Sequence, residues 1–192
     1  MVDYQKLLNT PHVPEDAGEH AEAFARMLAR IPDGWGRWIS CNRGWYELLV
    51  ELDEQLSALF PSYIIHQVKE KFGGLRVYWE SGEAIHDPND PEPPTPGREG
   101  DEEEWEAWKE RHAAWDERLD AYLKTPEGKA RDADLKRRVE LADKLVNAAE
   151  ARAAVTCEIC GKPGQMHRTR GAWYKTLCQE CAQRKDYIPA SE

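Results

Sequence analysis

With 192 residues the chain can bury one hydrophobic core and carry a small appended module; 41% hydrophobic and 32% charged residues exclude a wholly disordered chain. No apolar run approaches the roughly 20 residues that span a bilayer, and the opening MVDYQKLLNTPHVPEDAG has neither a basic nor an apolar leader region. No membrane partner and a cytoplasmic location are therefore expected. The net charge of −10 is local, because Asp87 to Asp120 holds thirteen acids against Arg98, Lys109, Arg111 and Arg118, which leaves the remainder free to meet an acidic partner.

In chain order, EHAEAFARMLARI places Ala21, Phe24, Ala25, Leu28 and Ile31 on one helical face before Pro32-Asp33-Gly34 stops it. WYELLVELDEQLSALF follows, with Trp45, Leu48, Leu49, Leu52, Leu56 and Leu59 as the apolar stripe and Pro61 as the stop. YIIHQVKEKFGGLRVYWE reads as a β-hairpin turning at Gly73-Gly74, with a third strand expected from residues 35–41. Residues 1–84 thus form an α+β body.

Residues 85–104 are acidic and proline-rich and predict a mobile linker. Beyond it, Trp105, Trp108, His112, Trp115, Leu119 and Tyr122 recur at alternating steps of 3 and 4, the spacing of a coiled-coil seam. A second helix opens at Thr125-Pro126 and carries Leu135, Val139, Ala142, Val146, Ala149 and Ala153 at the same spacing. Residues 105–154 are therefore expected to form an antiparallel helical hairpin with tryptophan opposite alanine. Its acidic face, with Trp105, Trp108 and Trp115, is the candidate surface for a protein partner; an exposed tryptophan seam would also favour a homodimer.

The strongest motif lies in residues 155–192. Cys157, Cys160, Cys178 and Cys181 form two CxxC pairs separated by seventeen residues. Four thiolates at that spacing close a tetrahedral Zn²⁺ site and leave no open coordination position, so the metal is expected to be structural. Five cysteines, with Cys41 unpaired, fit a reducing compartment better than a disulfide framework. Gly161 follows the first knuckle, a hairpin is expected around Gly171, and Cys178 to Lys185 would begin a helix. That order is a treble clef.

Spacing and the LCQECA segment resemble GATA-type zinc fingers over about 26 residues. The resemblance implies the fold and opens a nucleic-acid reading through Lys162, Arg168, Arg170, Lys175, Arg184 and Lys185, a set only modestly in excess of nearby acids. It also implies a base-reading tail beyond the last helix, for which the sequence to Glu192 has no counterpart. MHR and LCQECAQRK have the flavour of HNH endonucleases too, but a single His167, with Ala182 where a last histidine would fall, supplies no general base or Mg²⁺ pair. His167 is expected on the hairpin surface. His66 and His112 are expected to be packed or hydrogen-bonded, and Cys41 to be a small buried hydrophobe.

Taken together, GWYELLVELDEQL, HQVKEKFGGLRVYW, RVELADKLVNAAEARAAVTCEICGKPG and GAWYKTLCQECA resemble small zinc-binding proteins of bacteriophages and prophages, with residues 85 to 130 as an insertion. The resemblance implies a non-enzymatic accessory role directed at a host protein, including inhibition of a host defence system.

Overall fold

The computed structural model describes residues 3–97 and 100–190; Arg98, counted above among the bases, lies outside them. The protein has the expected mixed α+β fold, with six α-helices and two three-stranded sheets among the described residues. It divides into two compact units, one of Met1–Glu83 with Leu141–Glu192, the other of Ala84–Glu140. This partition does not follow the four composition blocks, since residues 155–192 join the N-terminal body.

In the first unit, helix α1 (Tyr4–Asn9) is capped by Asp3, whose carboxylate accepts from Lys6 N at 3.2 Å. Helix α2 (Ala21–Ala29) buries Ala23, Phe24, Met27 and Leu28, while Ala25 is exposed. The expected face is thus turned toward Met27, which removes more apolar surface from water than alanine would. Strand β1 (Ile39–Ser40) supplies the anticipated third strand. Helix α3 (Tyr46–Leu59) buries Leu48, Leu49, Leu52 and Leu56, and the Tyr46 ring meets Phe24 edge-on at 4.7 Å.

Strand β2 (Ile64–Lys71) runs parallel to β1 and antiparallel to β3 (Gly74–Glu80), so the sheet order is β1-β2-β3. Ile65, Val68 and Leu75 join Trp45, Phe60 and Tyr63 in the core. The hairpin turns one residue earlier than expected. Phe72 and Gly73 have φ of 52° and 80°, and Gly74 already pairs with Lys71. Two central residues at positive φ make a primed turn, whose twist matches that of the strands.

In the second unit, helix α4 (Glu102–Lys124) starts at Asp101, whose side chain accepts from Glu104 N at 2.9 Å, with three glutamates in its positive first turn. Helix α5 (Pro126–Ala153) begins after Thr125, whose hydroxyl accepts from Gly128 N at 3.0 Å. A Cβ on Gly128 would sit 2.2 Å from Tyr122 O, so the two helices meet at a glycine.

The acidic segment is ordered on α4, contrary to the expected mobile linker. Trp115 Nε1 donates to Asp90 O at 2.9 Å and Trp108 Nε1 to Pro93 O at 3.3 Å, while Arg118 grips both Asp90 carboxylate oxygens at 2.6 and 3.1 Å. His112 Nε2 lies 3.2 Å from Glu92 Oε1. Prolines reduce the entropy lost on ordering, and a buried indole N–H demands an acceptor. Ala142, Val146, Ala149 and Ala153 are buried on the stretch of α5 that belongs to the first unit.

Back in the first unit, Glu150 of α5 closes the outer edge of β3, its Oε1 accepting from Val77 N at 3.1 Å. The chain then forms β4 (Gln165–Arg168), β5 (Tyr174–Leu177), helix α6 (Gln179–Arg184) and β6 (Ile188–Pro189), with sheet order β5-β4-β6. No helix is long and apolar enough to cross a membrane among the described residues.

Candidate metal centre

Two turns bring the four thiols together. The first knuckle closes where Gly161 N donates to Cys157 O at 2.9 Å, with Gly161 at φ 75°. Strands β4 and β5 return the chain to Cys178, which caps α6, its sulfur accepting from Cys181 N at 3.4 Å. This is the expected knuckle, hairpin and helix order.

All four Sγ atoms lie within 4.8 Å of one another. Cys160 and Cys178 sulfurs are 3.6 Å apart. A tetrahedron with metal–sulfur bonds of about 2.3 Å has sulfur–sulfur edges of about 3.8 Å, so the cluster has the size of a four-thiolate zinc site. Cys157 and Cys181 are buried, Cys178 is half-buried and Cys160 is exposed.

The surroundings favour thiolate at Cys178 but oppose it at Cys160 and Cys181, where burial raises the thiol. The Cys181 backbone N–H, outweighing burial, brings the Cys178 thiol down to about 7. Arg184 Nη2 donates to Cys181 Sγ at 3.1 Å, placing a cation against a cluster that would stay negative with a divalent ion. Four sulfurs that saturate the ion leave it no position for a reacting water.

The centre is built into the body through the first knuckle. Glu158, between Cys157 and Ile159, is 1% exposed. Its Oε2 accepts from Lys175 Nζ at 2.5 Å, and its Oε1 from Asn42 Nδ2 at 2.6 Å and Asn42 N at 3.2 Å. Glu158 O accepts from Gly44 N at 2.8 Å, and Trp45 Nε1 donates to Thr156 O at 2.8 Å. A Cβ on Gly44 would fall 2.1 Å from Cys157 O and 2.6 Å from Gly161 N, so only glycine permits this approach. On the far side Thr176 Oγ1 donates to Gly73 O at 2.7 Å, tying the β2–β3 turn to β5.

The residues expected to touch nucleic acid divide into two groups. Lys175 is held by Glu158 and, at 3.4 Å, by Glu70; Lys162 pairs with Glu180 at 3.2 Å; Arg184 lies on Cys181. Arg170 and Lys185 line one groove of about 630 Å³ with Tyr187 and Ile188, and Arg168 is half-buried on β4. His167 corrects the expected surface position: it is 4% exposed and its Nδ1 donates to Gln165 O at 2.8 Å. The cross-strand pairing of β4 with both β5 and β6 turns this ring inward.

Cys41 is only partly buried over the whole residue, yet its thiol is pushed up to about 12, first by burial and then by the Glu158 carboxylate. His66 bonds Glu80 at 3.0 Å, and His112 lies on Glu92 as described. Of the three partner-surface tryptophans, Trp115 is buried, whereas Trp105 and Trp108 are half-buried. Sequence reading missed Glu158, Asn42 and Gly44. The available signal was an acidic residue inside a CxxC knuckle whose own geometry has no need of one.

No family model, no curated protein and no solved structure matches the chain. Fold and centre together define a mixed α+β protein whose four clustered cysteines can hold a metal ion and are compatible with zinc.

Proposed function

We propose that this chain is a non-enzymatic accessory protein of the phage or prophage kind, which acts in the cytoplasm by binding a host protein while a structural zinc ion holds its shape. Inhibition of a host defence system is the specific form of this reading. One observation carries it: the acidic segment is fastened to α4 through Trp108, Trp115 and Arg118, so its carboxylates stand on an ordered frame. A fixed array of like charges can select a complementary basic surface and steer its approach. A four-thiolate centre, which would leave a bound ion no open position, supports a structural role for the metal in this reading.

The test is capture from host lysate by the full chain and by a chain lacking residues 87–124. A specific host protein should be retained by the first and lost by the second, and its retention should also fail when Glu103, Glu106 and Glu110 are changed to glutamine. Equal recoveries from the intact and the deleted chain would sink the reading. The competing regulator model, with nucleic acid on the zinc module, is weakened because Lys162, Lys175 and Arg184 are engaged by neighbouring acids or by a metal ligand.

A further inference from the structure

The outer face of the β2–β3 hairpin has chemistry that neither the metal centre nor the acidic unit uses. Gln67 pairs with Tyr78 and Lys69 with Arg76 across the two strands, so these four side chains share the face opposite Val68, Leu75 and Val77. Tyr78 is 43% exposed, with Lys69 Nζ 5.3 Å from its ring centre. Trp35 is 59% exposed and lies 5.0 Å from the His66 ring. Trp35, His66, Lys69, Tyr78 and Trp79 line one open groove of about 620 Å³.

The hairpin tip repeats the pattern at a conformational cost. Phe72 is 74% exposed, and Lys71 Nζ sits 5.5 Å from its ring centre. Its φ of 52° is a left-handed backbone that a bulky side chain adopts only against steric resistance, and asparagine or glycine would fill the same turn without it. An aromatic ring held in solvent by a strained backbone contributes no core burial. His66 Nδ1 adds a second unmet demand, since it is buried at the groove with no hydrogen-bond partner.

We infer that this face, from Trp35 through Tyr78 to Phe72, is a binding surface for single-stranded nucleic acid. Exposed rings with Lys69 beside Tyr78 and Lys71 beside Phe72 give bases a stacking platform and phosphates a cation at two of the stops, while Arg76 is paired with Glu150. Flat rings accept unpaired bases of any sequence, whereas a duplex keeps its base faces covered. Glu70, the acid next in sequence to these lysines, points to the other face, where it meets Lys175. Glu80 and Glu150 are occupied by His66 and Arg76. The inference is independent of the protein-partner reading, which rests on residues 84–140.

The experiment is fluorescence anisotropy of a labelled short oligothymidylate with the full metal-loaded chain. Binding should be measurable at about 50 mM salt and fall with a log–log slope near −1.4, as roughly two phosphate contacts on a single strand require. Trp35→Ala and Tyr78→Ala should each weaken it about tenfold. Phe72→Asn should weaken it similarly while raising the urea midpoint, a combination that a purely structural role for Phe72 would not produce. An Arg170→Ala, Lys185→Ala double variant should bind as the parent does. The inference is overturned by no binding at low salt, by a duplex binding as tightly as the single strand, or by loss of binding in that double variant. It is also overturned if an acidic proline-rich peptide quenches Trp35 and the oligonucleotide does not, which would give the groove to a protein segment.

Discussion

Lys175 Nζ stands 2.5 Å from the nearly inaccessible carboxylate of Glu158 and 3.4 Å from Glu70, joining the metal knuckle, the second strand of its own hairpin and the β2–β3 hairpin in one ion cluster. Removing one partner of such a pair leaves the other charged and stranded. Lys175→Met should therefore cost about 2 kcal/mol, below the roughly 3–5 kcal/mol of fully buried pairs because a quarter of the lysine side chain is exposed. Adding Glu158→Gln should recover much of the loss. Urea midpoints of the single and double variants measure both, and a double variant weaker than Lys175→Met alone would contradict the coupling.

The same lysine predicts an alkaline dependence. Burial opposes its charged form, but Glu158 and Glu70 prevail and hold its pKa above the ordinary lysine value. The folded state thus binds its proton more tightly than the unfolded chain does. That stabilisation is complete below the unfolded value of about 10.4 and disappears as pH rises through the raised one. Wild type should lose stability across this window more steeply than the Lys175→Met, Glu158→Gln double variant.

Gly44→Ala probes the joint between knuckle and body. Its Cβ would meet two carbonyl oxygens and a backbone nitrogen at 2.1 to 2.6 Å, all on the first knuckle and its closing turn. Overpacking against backbone that cannot retreat should cost about 3 kcal/mol. Zinc content should stay near one ion per chain unless the knuckle itself opens, so elemental analysis and thermal melting together locate the damage.

Metal removal should act beyond the C-terminal module. Elemental analysis should find zinc at one ion per chain, and Cys157→Ser should abolish it. Because Gly44 N donates to Glu158 O and Asn42 to the Glu158 carboxylate, both within the knuckle that Cys157 begins, chelation should lower the melting temperature of the whole first unit. A chelated chain with an unchanged melting curve would contradict a structural role for the ion.

Acid should release the strap on α4. Arg118, through its hydrogen bond, holds Asp90 below the usual carboxylate range. A depressed carboxyl contributes stability above its unfolded value of about 3.9, and loses it as pH falls through the depressed one. Tryptophan emission should shift to the red below about pH 4 as Trp115 is uncovered, and Asp90→Asn should shift it already at neutral pH.

Legibility followed the range of each signal. Four cysteines declare themselves through local spacing, and the strand and helix periods of α3, β2 and β3 are equally local. Glu158 finds Asn42 across 116 residues, a relation no periodicity encodes. Composition misled at residues 85–97: prolines and acids exclude a core but do not prevent a segment from lying on the tryptophans of a neighbouring helix. The turn at Phe72 was placed one residue late because Gly-Gly was the stronger local cue, whereas the register of Lys71 with Gly74 decided it.

Glu150 has a consequence for the company this protein keeps. By taking the Val77 amide, its carboxylate occupies a bonding position that an incoming strand from another molecule would need, and it sets a negative charge beside the border of the sheet. Accretion of further copies through that border is thereby disfavoured, which protects the chain against polymerising at high concentration.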